Sequence, residues 1–371
     1  MRFRNSRSMQ PEFGQSPSER RAVRFWLLAV AGLIFLMTIV GGATRVTESG
    51  LSIVEWKPIT GVIPPHTAAR WHSEFEKYQA IPQYRLMNPA MSLDEFKMIY
   101  WWEWVHRLLG RLIGVIFLLP LLWFWWKGWI TRPLGVRLLL IFGLGGLQGA
   151  VGWWMVASGL VERTEVSQYR LATHLLLACL IFVAALWTAL ELEARPAIIV
   201  PAHSRITAAA LLVLTLLQIY IGALLAGLRG GLMYNTWPFI DGAFFPPPTE
   251  LFSIDPAWRN LFENVLTVQF AHRMSAYALW VGALWHALTL ARRAGSRAAM
   301  GAIALAVGVT VQACLGIFTL VHQVPPLLAL LHQAGAIVVL GLAVVNAQRL
   351  WGKRARAIVG TVQPVASTRR A

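Results

Sequence analysis

The sequence predicts an all-α polytopic membrane protein whose eight transmembrane helices form two four-helix bundles in parallel repeat, with both termini cytoplasmic. Three observations carry this prediction. First, 57% of the 371 residues are hydrophobic and 13% charged, with 18 Trp and a mean hydropathy of +0.55, well outside the composition of a water-soluble domain. Second, apolar runs recur near 25–44, 104–126, 135–157, 170–190, 206–228, 265–290, 298–320 and 327–349, each long enough to cross ~30 Å of hydrocarbon at ~1.5 Å per residue. Third, the long connections repeat: Gly50-Leu51, Trp56, Ile59, Gly61 and Pro65 return as Gly231-Leu232, Trp237, Ile240, Gly242 and Pro246, each 181 residues further on.

Residues 1–24 carry Arg2, Arg4, Arg7, Arg20, Arg21 and Arg24 without a cleavable signal pattern and read as a retained cytoplasmic tail. The first half spans 25–190, a cytoplasmic linker 191–205, the second half 206–349 and a basic cytoplasmic tail 350–371. The net charge of +16 lies in short runs between apolar segments: Lys127, Arg132 and Arg137; Arg195 and Arg205; Arg292, Arg293 and Arg297; Arg349, Lys353, Arg354 and Arg356. All fall on the side of the N-terminal tail, which is the positive-inside pattern rather than a nucleic-acid patch. Inside the apolar runs, Gln148-Gly149-Ala150-Val151-Gly152 answers Gln312-Ala313-Cys314-Leu315-Gly316, extending the repeat. Each half holds an even number of helices, so both enter the membrane in the same sense and the repeat is parallel. Cys179 and Cys314 sit in apolar runs and are assigned to packing; no C-x-x-C-H is present for covalent haem.

Four histidines organise the chain chemically. His106, His174, His272 and His332 each stand early in an even-numbered run, one pair per half, and the residue four beyond each is Gly110, Ala178, Ala276 or Ala336. That spacing leaves the helix face one turn deeper than each imidazole almost bare. Two imidazoles per half suit bis-histidine ligation of a haem iron between helices; zinc usually takes three or four protein ligands. Arg107 and Arg273 follow the first histidine of each pair on the outer side and are candidates for haem propionates, or for snorkelling toward headgroups. Gln148 and Gln312 are expected to bridge helices within each half. His66, His72, His203, His286 and His322 are weaker candidates.

The halves differ where Glu103 faces Gln269. Glu103 precedes His106 by three residues and shares its helical face. A carboxylate beside a haem edge can move protons or stabilise positive charge, and a glutamine cannot titrate. From the residues alone, haem modification and a dihaem b-type electron carrier, one that could serve quinone, both account for the pattern. A transporter or haem carrier would also tolerate the duplication.

The segment Gly41-Gly42-Ala43-Thr44-Arg45-Val46-Thr47-Glu48-Ser49-Gly50-Leu51-Ser52, with Trp56-Lys57-Pro58, Glu103-x-x-His106-Arg107, His174, His272-Arg273 and His332, closely resembles haem A synthases of the mitochondrial and proteobacterial type, over residues 25–350. Members of that family are eight-helix proteins that convert haem O into haem A, oxidising the methyl at porphyrin position C8 to a formyl through successive hydroxylations. The resemblance implies that His106, His174 and catalytic Glu103 receive haem O as substrate, and that His272 and His332 ligate a haem b that relays electrons. It also implies the bacterial cytoplasmic (inner) membrane, with the haem sites toward the periplasm. Expected partners are a haem O synthase as substrate donor, assembly factors of the terminal oxidase, membrane lipid and further copies of this chain, with no nucleic acid. One branch of the family carries a cysteine pair in the first outer loop; this chain aligns with the branch lacking it. An iron held by both His106 and His174 has no open position, so either a ligand leaves during turnover or oxidation proceeds at the ring edge.

Overall fold

The computed structural model describes residues 16–193, 198–293 and 296–351; most of the N-terminal tail, part of the linker and the basic C-terminal tail, with Arg195, Lys353, Arg354 and Arg356, lie outside them. Eight long helices are apolar enough to cross a membrane: α1 Pro17–Val46, α2 Leu93–Trp126, α3 Arg132–Ala157, α4 Gln168–Glu191, α5 Ala202–Gly227, α6 Val265–Arg293, α7 Ser296–Val321 and α8 Pro326–Trp351. Among the described residues there is no strand, only an isolated bridge between Ile240 and Ala243.

Several helices outrun their apolar cores because capping chemistry, not hydropathy, sets their ends. Ser16 caps α1 reciprocally with Glu19, and Pro17 occupies the first turn, where its missing N–H costs nothing. Ser92 and Glu95 form the same box on α2. The start expected near residue 104 is therefore wrong by about three turns. The added segment of α2 buries Phe96 and Tyr100 against Leu51, Ile53 and Tyr78, with Tyr78 supplied by a short helix, Ala68–Gln79, in the long first connection. His106 consequently stands 13 residues past Leu93, about 20 Å of rise, and not near its helix start. His174, His272 and His332 do lie in the second or third turn of theirs.

Within the first half, α1 packs on α2 and α4, and α3 on α2 and α4; in the second half α5 packs on α6 and α8, and α7 on α6 and α8. The halves meet through α1–α8, α4–α5 and α4–α8, a set that maps onto itself when the halves are exchanged. The core of the first half is built around Leu27, Val30, Leu121, Leu138 and Cys179. That of the second is richer in alanine, with Ala208, Ala283, Ala302 and Ala343 beside Leu290 and Leu305, so its helices approach closely. Cys179 packs as expected, whereas Cys314 is exposed on its helix.

Two close approaches fix the junction between halves. On α1, a Cβ at Gly42 would lie 2.5 Å from Gln333 Oε1, and Gln333 Nε2 donates to the Thr38 carbonyl at 2.6 Å. On α5, a Cβ at Gly227 would lie 2.6 Å from Gln168 Cβ. Beside the long connections the junction is charged: Glu48 and Arg229 pair at 2.6 Å, Arg229 Nε reaches Glu165 at 2.5 Å, and Arg45 donates to the Ala226 carbonyl. Glu48 and Arg229 both have positive φ, 54° and 53°.

Candidate functional site

Each of the four histidines rests on a glycine of the preceding long helix. A Cβ would lie 2.8 Å from His106 Cε1 at Gly41, 2.9 Å from His174 Cε1 at Gly152, 3.0 Å from His272 Cε1 at Gly222 and 2.7 Å from His332 Cε1 at Gly316. No side chain larger than hydrogen fits there without moving the ring, so four helix pairs, α1–α2, α3–α4, α5–α6 and α7–α8, repeat one contact. The imidazoles are half-buried, and each first histidine is an electrostatic neighbour of the second in its own half, His106 of His174 and His272 of His332.

Three of the four also have an amide at the ring. Gln148 Nε2 donates to the His174 carbonyl at 3.0 Å and lies 3.2 Å from its Nδ1; Gln218 makes the same two contacts to His272 at 3.0 and 3.1 Å; Gln312 makes them to His332 at 2.7 and 3.0 Å. Gln148 and Gln312 thus bridge helices within their halves, and what they bridge to is the histidine itself. Gln218 lies outside the repeat that pairs Gln148 with Gln312. Its signal is the spacing Gln-x-x-x-Gly, present as Gln148/Gly152, Gln218/Gly222 and Gln312/Gly316. Among the described residues no three His, Cys, Asp or Glu side chains converge as a metal site.

Glu103 is 3% exposed, and its carboxylate is fully engaged. Oε1 accepts from Arg107 Nε at 3.0 Å and Nη2 at 2.5 Å; Oε2 accepts from Ser52 Oγ at 2.8 Å and the Ile53 N–H at 2.7 Å. Arg107 also donates to the carbonyls of Ile53 at 2.6 Å and Glu55 at 2.9 Å. Glu103 and Arg107 together therefore fasten the first long connection over the bundle. Trp56 of that connection stacks on Trp153 of α3, the ring centroids 6.0 Å apart, and the Arg107 guanidinium lies over the same Trp153 ring.

The second half reproduces the clasp without the carboxylate. Gln269 donates to the Tyr234 carbonyl at 2.7 Å, and Arg273 donates to the carbonyls of Tyr234, Thr236, Pro238 and Phe239. Trp237, the repeat equivalent of Trp56, bonds Tyr277 at 3.0 Å. Gln269 Oε1 and Arg273 Nε remain buried without partners. Under the first connection, Lys57, Arg70, Arg107 and Arg111 line a cavity of about 400 Å³ that also contains Glu55 and Glu74. At its edge Lys57 and, from outside the cavity lining, Lys77 bond Glu55 at 2.5 and 2.7 Å and hold its carboxyl below the usual carboxylate range.

The other histidines lie elsewhere. His286 is buried against Asn346 at 3.1 Å, 14 residues beyond His272. His66 contacts Arg70 and His322 the Phe318 carbonyl.

Comparison with known proteins places these features in a family. A heme A synthase of Bradyrhizobium diazoefficiens is 60% identical over 351 residues, covering 94% of this chain and 98% of that protein. A heme A synthase of Rhodopseudomonas palustris strain BisA53 is 61% identical over 331 residues, 89% of this chain and 91% of that one. The model of the COX15-CtaA family, cytochrome oxidase assembly protein, matches residues 24–344. With two histidine pairs on glycine-backed helices and likeness of this extent along the chain, the protein belongs to the COX15-CtaA family.

Proposed function

We propose that this chain is a haem A synthase, a membrane oxidoreductase that binds haem O between His106 and His174 and oxidises its C8 methyl to a formyl. The observation that carries the reading is the doubled histidine frame with a single carboxylate: two equivalent glycine-backed pairs, and Glu103 one helical turn before His106 where the second half has Gln269 before His272. The relatives' shared name, heme A synthase, supports the same reading. Taking a methyl to the formyl level removes four electrons and replaces two hydrogens by one oxygen, so the reaction needs an external oxidant, either dioxygen or an electron acceptor acting with water, and an electron path to the site.

In this reading His272 and His332 hold haem b, which supplies one-electron transfer when bound. The fit rests on their two imidazoles, on the glycine clearance at each ring and on the amides of Gln218 and Gln312 that orient them. Glu103 serves the first site as proton acceptor or electrostatic support for charge developing on the substrate. Arg107, with Arg111, Lys57 and Arg70, offers the positive ground for the propionates of haem O, and Arg273 with its unpartnered Nε does so for haem b. The sites face the periplasmic side of the cytoplasmic membrane, where the long connections cover them, and a haem O synthase delivers the substrate.

The test is chromatography of non-covalent haem from membranes that co-express the chain with a haem O synthase. Wild type is expected to give haem A, and Glu103→Gln to lose most of it while retaining haem b. A folded, haem-loaded wild type that yields only haem b and haem O with a reductant supplied makes the chain a dihaem electron carrier instead.

A further inference from the structure

The four histidine settings differ at one position. Gln148, Gln218 and Gln312 each stand four residues before the supporting glycine, with the amide 3.0–3.2 Å from the histidine Nδ1. On α1 the residue four before Gly41 is Met37, and His106 Nδ1 is buried with no hydrogen-bond partner. We infer that His106 is the exchangeable iron ligand of the first half, and that Met37 is the positioning residue that makes it so. This rests on the reading of His106 and His174 as the haem O pair.

An amide that donates to the histidine carbonyl and lies against the imidazole ties the ring to the neighbouring helix and holds its orientation. Removing such a partner typically costs ~10–100-fold in metal affinity. His174, His272 and His332 have that support. His106 Nδ1 has no such partner, and Gly41 approaches the ring from the other helix.

Met37 also gives the ring room to move. Its methyl ends against Gly110, where a Cβ would lie 3.3 Å from Met37 Cε, and the other three helices carry Ala178, Ala276 and Ala336 at that place. A glutamine there would be tied to both the histidine carbonyl and the ring, whereas an unbranched thioether yields to a moving neighbour. Release of His106 would open a coordination position in the first half alone. The second half, with an amide on each imidazole, keeps both ligands, which suits electron passage and excludes exogenous ligands.

The experiment reads ligand exchange and not turnover. Purified, haem-loaded full-length protein is reduced and titrated with carbon monoxide, and the fraction of haem giving a carbonyl spectrum is recorded. The titration is repeated in His272→Ala/His332→Ala protein, which keeps only the first site. Wild type is expected to show one reactive haem of the two, the reactive one surviving in the double variant. Met37→Gln should lower carbon monoxide affinity at least tenfold, and Gln218→Met should make the second-half haem reactive. A wild type in which no haem reacts, or in which the reactive haem is lost from the double variant, overturns the inference, as does unchanged affinity in haem-loaded Met37→Gln. Should Met37→Gln not load haem, Gln218→Met decides alone, and an unreactive second haem at full loading is the overturning result. A protein with the expected carbonyl pattern that forms no haem A refutes only the synthase reading.

Discussion

Glu48 and Arg229 occupy equivalent positions in the two halves, 181 residues apart, and bond each other at 2.6 Å. Equivalent residues can touch only where the relation between the halves brings them together, so this pair marks the local symmetry axis. Arg45 and Ala226, also 181 residues apart, meet beside it. Charge reversal at one partner, Glu48→Arg, should loosen the junction, and the swap Glu48→Arg/Arg229→Glu should recover part of the loss. Both side chains are about 40% exposed, so the pair alone is worth about 0.2–1 kcal/mol. Thermal unfolding of the four proteins in detergent, read as a double-mutant cycle, checks this.

The supporting glycines give a sharper outcome. Gly41→Ala, Gly152→Ala, Gly222→Ala and Gly316→Ala each push a methyl to 3.0 Å or less from an imidazole carbon. Overpacking of this kind costs about 1–3 kcal/mol, and here the displaced group is the proposed ligand. Each variant is expected to lose haem from its own half and keep it in the other, measured as haem per chain with the reduced spectrum of the remaining site.

Glu103→Gln removes the charge that Arg107 pairs with inside the protein. Stranding one member of a buried ion pair costs about 3–5 kcal/mol, although Arg107 keeps its carbonyls at Ile53 and Glu55. Beyond its effect on turnover, the variant should therefore raise hydrogen exchange at Ser52–Glu55. The reverse change, Gln269→Glu, adds a carboxylate beside the Arg273 clasp and should leave exchange in that connection no faster than in wild type.

The cluster of Glu55, Lys57, Glu74 and Lys77 sets a pH window for the first connection. Lys57 and Lys77 depress the Glu55 pKa, so its contribution is present above the ordinary carboxylate value and is lost as pH falls through the depressed one. Burial pulls Lys77 down, but Glu55 and Glu74 outweigh it and its pKa is raised. Its contribution is present below the ordinary lysine value and is lost only as pH rises through the raised one. Proteolysis of the connection should accordingly be flat from about pH 5 to 9 and accelerate below about pH 4. In Lys77→Met the acid rise should begin at higher pH.

Much of this was legible in the sequence. Hydropathy located all eight helices, and duplication singled out His106, His174, His272 and His332, because an apolar period and a repeated polar residue survive without knowledge of packing. Other features needed the fold. Residues 93–103 contain Asp94, Glu95 and Lys97, too polar for an apolar search, so α2 began late in that reading. Gln218 and Met37 belong to a pattern seen only when four helix pairs are laid side by side, at separations from their histidines that vary with the connection between. The clasps of Arg107 and Arg273 end on backbone carbonyls 34–54 residues away, and carbonyls leave no trace in residue identity.

The glycine–histidine contact, made four times, has a consequence for how such a chain could arise. One helix pair carries one glycine and one imidazole, half of the proposed bis-histidine site, which it completes only beside another copy of itself. An assembly of identical pairs would have to keep every position acceptable in all its members at once. Covalent fusion removes that constraint, since a codon then specifies one place and not four. Met37 and Glu103 are changes of this kind, each present in a single unit, and they could specialise one centre while the other three histidines kept the older arrangement.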